Sequence, residues 1–140
     1  MMNTPTANHV AWAIVAACRE TGEDPIRCAE GFIGGAHGPT IRARHYAMHA
    51  LLHVFQEMPR TSAARMVGCP GKPAAFYNNS RNQITRIIPD GSGDRAASWW
   101  DEKVYARVIT AIEVRVQSDK IESYARQTEL REIMKRDGKP

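Results

Sequence analysis

This 140-residue chain is poor in the features that cross-link a protein or carry it through a membrane. Its three cysteines, Cys18, Cys28 and Cys69, are scattered and form no C-x-x-C pair, which argues against a disulfide framework. No apolar run approaches the roughly 18 residues that a membrane-spanning helix needs, and the first ten residues lack the basic region of a secretory signal. These absences predict a cytoplasmic protein with reduced thiols.

Acidic residues are almost missing from the middle of the chain. Between Arg42 and Arg86, seven Lys or Arg residues stand against a single acidic residue, Glu57, so this segment carries a net charge of +6 while the remainder carries −2. Six of the seven cations are Arg, whose planar guanidinium suits phosphate and guanine. The concentration of charge predicts an anionic polymer as partner. A solvated basic face is the alternative.

The sequence offers no set of residues for catalysis or metal binding. The segment from Gly68 to Pro73 resembles a phosphate-binding P-loop, but it lacks the glycine spacing and the Ser or Thr after Lys72. His45, His49 and His53 recur at intervals of four, yet no carboxylate or Cys accompanies them, so we interpret them as solvated or phosphate-facing. We expect no enzyme activity, no cofactor and no metal.

The spacing of apolar residues predicts an all-α protein. A first helix is expected over the apolar residues from Val10 to Cys18. Asn8 is its candidate N-cap and Gly22 its stop. A longer helix is predicted from about Thr40 to Gln56, with an apolar face made of Ala47, Ala50, Leu51, Val54 and Phe55.

A compact unit follows that is typical of a helix-turn-helix. A short helix over Thr61–Gly68 ends at glycine, a turn over residues 69–72 follows, and a second helix is predicted over Pro73–Ile88. On a helical projection, one face of the second helix is apolar and the other is small and rich in amides, without an acid. Because Asn can pair with adenine and Ala can touch a thymine methyl group, this outer face predicts contact with the major groove of DNA.

The segment from Asn8 to about Glu113 resembles the C-terminal DNA-binding domain of the bacterial replication initiator DnaA, a helical relative of the Trp-repressor fold. The resemblance is carried by Val10 to Thr21, by the run Arg42-Ala-Arg-His-Tyr-Ala-Met48 and by Ala63 to Gly68. It implies that Arg42 approaches the minor groove and that Arg44 supports the fold or a phosphate contact. The candidate DNA-binding residues are Arg42, Arg44, Arg60, Thr61, Ser62, Lys72, Ala74, Ala75, Asn78, Asn79, Arg81, Asn82 and Arg86.

This chain differs from the DnaA family in the signature residues that determine which DNA sequence is bound. The family signature Gly-Arg-Asp-His-Ser/Thr-Thr is replaced by Gly71-Lys-Pro-Ala-Ala-Phe76, which predicts that a different DNA sequence is bound. The main hypothesis is therefore a sequence-specific transcription regulator bound to the nucleoid, similar to the stand-alone alphaproteobacterial activators of phage-like gene transfer agent clusters. The alternatives are a replication-control protein that competes for initiator sites and a non-enzymatic protein-interaction adaptor.

The resemblance predicts three parts: a flexible N-terminus over residues 1–7, a DNA-binding domain over 8–113 and a helical extension over 114–140. Ser98-Trp-Trp-Asp101 has the form of a capping box, and no Gly or Pro occurs from Asp94 to Asp137. In the extension, Ile121, Tyr124 and Ala125 and then Leu130, Ile133 and Met134 predict a narrow apolar stripe. The stripe suggests a second copy, RNA polymerase or another DNA-binding protein as partner, whereas the alternative is a helix folded on its own core or a frayed tail.

Overall fold

The computed structural model describes residues 4–26, 39–69, 71–84, 87–88, 93–94 and 100–137. Its five helices are α1 (Ala7–Thr21), α2 (Pro39–Val54), α3 (Arg60–Met66), α4 (Pro73–Ile84) and α5 (Glu102–Asp137). Two two-residue strands, β1 (Ile87–Ile88) and β2 (Gly93–Asp94), pair antiparallel. The prediction of an all-α protein is confirmed. Among the described helices, none is both long enough and apolar enough to cross a membrane.

Helix α1 begins earlier than predicted because Thr6, and not Asn8, is its N-cap. The Thr6 hydroxyl accepts a hydrogen bond from the backbone N–H of His9, and the His9 ring accepts one from the backbone N–H of Thr6. This reciprocal pair satisfies two donors that the first turn leaves without helical partners. Gly22 ends the helix as predicted, with a φ of 75° that is favourable for glycine.

Helices α1, α2 and α5 pack together and enclose the main core. Alanines on α1 and α2 let the backbones approach closely, and larger side chains fill the remaining space. Fully buried members of this core include Ala13, Ala17, Ala47, Met48, Leu51, Val108 and Ile112. The predicted apolar face of α2 is confirmed, with Val54 only partly buried.

Polar side chains also join α5 to the other two helices. The Trp12 indole N–H of α1 donates to the Ala111 carbonyl at 3.2 Å. The Tyr46 hydroxyl of α2 accepts from the backbone N–H of Asp101 at 2.7 Å, and the Tyr46 ring stacks on Trp100 at 4.5 Å. These contacts fix the beginning and the middle of α5 against the bundle.

The two short helices α3 and α4 follow each other as predicted, but α4 is shorter than expected. It ends at Ile84, and the predicted helical residues Ile87 and Ile88 form β1 instead. Their β-branched side chains favour extended backbone, and pairing with Gly93 and Asp94 gives them hydrogen-bond partners outside a helix. Thr85 and Arg86 lie outside the described residues.

Helix α5 runs through residues 113 and 114 without a break, so the predicted domain and extension share one helix of about 54 Å. Its first turn is capped by Asp101, whose carboxylate accepts from the backbone N–H of Lys103. Ser98, the predicted cap, lies outside the described residues.

The single apolar stripe predicted for the extension is wrong. Residues 120–136 are all exposed, and Ile121 and Leu130 are nine residues apart, which is two and a half turns at about 100° per residue. Ile121, Tyr124 and Ala125 therefore lie on one side of α5, and Leu130, Ile133 and Met134 lie on the other.

Candidate nucleic-acid interface

The two faces of α4 differ as the sequence predicts. Phe76 and Ser80 are buried, and Tyr77 and Ile84 are half-buried against the bundle. The exposed residues in this helix are Ala74, Ala75, Asn78, Asn79, Arg81, Asn82 and Gln83. Short and amide-bearing side chains allow the backbone of α4 to approach a duplex while offering both donors and acceptors to base edges.

Most of the predicted cations are at the surface. Arg42, Arg60, Lys72 and Arg81 are exposed, as is Arg65, a basic residue of α3 that was not among the candidates. Thr61 and Ser62, on the first turn of α3, are half-buried. Arg86 lies outside the described residues.

One of these cations, Arg60, contacts α4. The Arg60 guanidinium lies over the Tyr77 ring, 5.2 Å from its centroid. Cation–π contact of this kind holds a long side chain in place while leaving its N–H groups available at the edge. Arg60 is therefore placed beside α4, where a phosphate contact would complement base contacts from the outer face.

Arg44 does not share this surface, which excludes the predicted phosphate contact. Its side chain is buried, with 3% of the residue exposed, and its guanidinium donates to the Val67 carbonyl at the end of α3. The adjacent Gly68 has a φ of +71°, and a Cβ atom there would lie 3.0 Å from Nη1 of Arg44. Of the two roles implied by the DnaA resemblance, the geometry agrees with support of the fold.

Two histidines predicted to be solvated or phosphate-facing are instead packed against α4. Nδ1 of His45 lies 2.6 Å from the Ser80 hydroxyl oxygen, and Nε2 of His49 lies 2.7 Å from the same oxygen. His45 also stacks on Phe76 at 4.7 Å, and His49 packs against Tyr77 at 5.7 Å. Helix α2 thus holds the inner face of α4 through ring contacts and a shared hydroxyl group.

Burial keeps both histidines neutral. It lowers the pKa of His45 to about 4, with a smaller contribution from His49, and burial alone lowers the pKa of His49 to about 4. A neutral imidazole has one donor and one acceptor nitrogen. Ser80 has one hydroxyl proton, so it donates to one ring and accepts from the other. The fully buried Ser80 hydroxyl therefore has a partner both as donor and as acceptor.

Glu23 brings a carboxyl group to the first half of α2. Its Oε2 accepts a hydrogen bond from the backbone N–H of Ala43 at 3.4 Å. Burial raises the pKa of Glu23 to about 7, although that hydrogen bond and the charges of Arg42 and Arg44 act in the opposite direction. The carboxyl group therefore changes its charge near neutral pH beside the proposed minor-groove residue.

The accessible side chains of this surface carry hydrogen-bonding groups and positive charge. Within the described residues, no group of three or more His, Cys, Asp or Glu side chains is placed to hold a metal ion. The histidines on α2 are engaged by Ser80 and by aromatic rings, while the accessible groups on α4 are amides and a guanidinium.

Sequence reasoning missed the His45–Ser80–His49 cluster because its partners are far apart along the chain. The available signal was a serine inside the apolar face of α4, together with two histidines four residues apart on α2. Neither helix alone identifies the other as its partner.

Comparisons with protein-family models, curated proteins and solved structures found no match for this chain.

Proposed function

We propose that this protein is a sequence-specific double-stranded DNA-binding transcription regulator that inserts α4 into the major groove and places Arg42 near the minor groove. The observation that carries the proposal is the outer face of α4, which combines Ala74, Ala75, Asn78 and Asn82 with no acidic residue anywhere in the helix. Asn binds adenine through two hydrogen bonds, and Ala contacts the thymine methyl group. A·T base pairs are therefore the expected targets of this face.

Positive charge around α4 supports the same proposal. Arg60 begins α3, Lys72 immediately precedes α4, and Arg81 extends from α4 itself; all three are exposed. Contacts of such side chains with phosphates would fix the register of the protein on the duplex, and the amides would then read the bases.

We further propose that the bundle is a DnaA-like, Trp-repressor-like scaffold with a different DNA target. The run from Arg42 to Met48 on α2 and the short helix, glycine turn and second helix support this relationship. The replacement of the family signature by Gly71-Lys-Pro-Ala-Ala-Phe76 is the reason for expecting a different target. The regulatory role that the resemblance suggests is activation of a phage-like gene cluster. RNA polymerase, another DNA-binding protein or a second copy of the chain is the proposed partner of the extension over residues 114–140, whose large apolar side chains are exposed on two sides of α5.

Salt dependence of DNA binding tests the proposal. Four or five phosphate contacts predict a slope of about −3.5 to −4.5 in a plot of log K against log salt concentration, measured by fluorescence anisotropy on a random duplex. Lys72→Ala should reduce the magnitude of the slope by about one. Arg131→Ala, which removes an exposed cation of α5 outside the basic segment from Arg42 to Arg86, is the matched control and should leave the slope unchanged. A parent slope near zero would contradict DNA binding by this surface.

A further inference from the structure

We propose that His45, Ser80 and His49 act as positioning residues that set the rotation of α4 about its axis and thereby determine which side chains it presents to base pairs. The inference deepens the proposed function and depends on it. None of the three residues reaches the outer face of α4, so they would govern sequence specificity from inside the protein.

The position of Ser80 on α4 links it geometrically to the outer face. Asn78 and Asn82 are each two residues from Ser80, and two residues correspond to about 200° of rotation. Both asparagines therefore lie nearly opposite the serine. Ser80 is fully buried, while both asparagines are exposed. Fixing the serine hydroxyl on α2 consequently fixes the direction in which both amides point.

Hydrogen bonds suit this role better than apolar packing does. Packing of Phe76 and Ile84 resists separation of the helices, but hydrophobic contact is not directional and tolerates small rotations. The 2.6 Å and 2.7 Å contacts of the Ser80 hydroxyl with His45 and His49 require a defined angle as well as a distance. A slip of one residue would turn α4 by about 100° and remove the amides from the groove-facing side.

Ring contacts hold the two histidines beside the serine. The His45 ring is nearly parallel to Phe76, with an interplanar angle of 7°. On the other side, the His49 ring meets Trp100 edge-on at 5.9 Å, and the Tyr105 hydroxyl donates to the His49 backbone carbonyl at 3.3 Å. Trp100 thus limits the position of the His49 ring independently of α4, and this in turn limits the positions that the serine can take.

The test compares specific with random DNA for variants of the full chain. A preferred duplex is first selected from a random library with the parent protein, and the ratio of its affinity to that of a random duplex is then measured at one salt concentration. Ser80→Ala and His49→Leu should each lower this ratio about tenfold while changing random-duplex affinity less than twofold. The salt slope should stay the same, because the phosphate-contacting cations are not altered.

Conservative and remote variants separate positioning from stability. His49→Gln keeps a polar atom near the position of Nε2 and should restore the ratio to within about threefold of the parent. Ile109→Ala removes a partly buried side chain of α5 and should lower the melting temperature without changing the ratio. If circular dichroism shows that Ser80→Ala does not fold, the comparison of His49→Leu with His49→Gln provides the test.

The outcomes distinguish this inference from the proposed function. The inference alone is overturned if Ser80→Ala or His49→Leu leaves the ratio of specific to random affinity unchanged. It is also overturned if Ile109→Ala lowers this ratio as much as they do. A parent that binds all duplexes equally, but with the expected salt slope, overturns the inference together with the sequence specificity of the proposed function, and leaves only DNA binding intact. A parent without salt-dependent binding overturns both.

Discussion

Nε2 of His9, in the first turn of α1, lies 2.9 Å from the Asp119 carboxylate in the middle of α5. The other ring nitrogen, Nδ1, accepts a hydrogen bond from the backbone N–H of Thr6. The ring proton of this neutral tautomer is therefore on Nε2, which donates a hydrogen bond to the Asp119 carboxylate. His9 is buried, with 1% of the residue exposed. One imidazole thus caps α1 and joins it to a residue in the predicted C-terminal extension.

This contact defines where the chain can be shortened. Deletion of residues 120–140 removes only exposed positions among those described and should leave the free energy of unfolding within about 0.5 kcal/mol of the parent. Deletion of residues 119–140 also removes the partner of a buried donor and should cost about 1–3 kcal/mol more. Urea unfolding of the two truncations measures the difference. Equal stability of the two truncations would contradict a contribution from the His9–Asp119 pair. If the chain that lacks residues 120–140 does not fold, these residues belong to the core.

Stability should fall in acid because of His45 and His49. Their folded pKa values, about 4, are below the ordinary value of 6.5, so the stability they contribute is complete above pH 6.5 and is lost as pH falls through about 4. In that window each histidine should contribute up to about 1.4 kcal/mol per pH unit. Urea unfolding between pH 4 and 7 provides the measurement. The double variant His45→Asn/His49→Gln should show a flatter profile, and a profile as steep as the parent's would contradict the assignment.

Glu23 should produce the opposite pH dependence. Its folded pKa of about 7 is above the ordinary value of 4.5, so its contribution to stability is complete below pH 4.5 and is lost as pH rises through about 7. Glu23→Gln should therefore be more stable than the parent at pH 8, by about 1–3 kcal/mol, and similar at pH 4.5. The difference between the two unfolding curves isolates this group from the histidines. A difference that does not vary with pH would contradict the raised pKa.

The turn between α3 and α4 should tolerate alanine at Gly71 better than at Gly68. Both glycines have a φ near +70°, so alanine incurs a backbone penalty of about 1–2 kcal/mol at either position. At Gly71 nothing lies within 4 Å of the added Cβ, whereas at Gly68 it would press on Nη1 of buried Arg44. We expect Gly68→Ala to lose at least 1 kcal/mol more than Gly71→Ala in urea unfolding. Equal losses would show that Arg44 moves aside without cost.

Amides on α4 should affect specific binding only. Asn78→Ala or Asn82→Ala should cost about 1–3 kcal/mol on the best duplex and little on a random duplex, because only base contacts discriminate between sequences. Arg42→Ala should weaken both kinds of binding, with a further loss at a narrow A·T-rich minor groove. Competition assays with the two duplexes measure these effects. If the asparagine variants bind both duplexes with the same affinity as the parent, the assignment of α4 as the recognition helix is contradicted.

The sequence by itself determined the helices and the outward side of α4. Apolar residues at intervals of three and four, the stop at Gly22 and the absence of Gly and Pro between residues 94 and 137 act within a few turns of chain, so local reasoning is sufficient for them. Local reasoning failed where short-range preferences compete, as at Ile87 and Ile88, which could extend α4 or form a strand.

Only the tertiary structure decided what the buried polar side chains do. Arg44 meets Val67, His45 meets Ser80 and His9 meets Asp119 across separations of 23, 35 and 110 residues. A polar residue on a helix face is equally consistent with solvent, phosphate or a buried partner until the opposing element is in place. Burial then requires each polar atom to find a partner, and the packing of the helices selects which one is within reach.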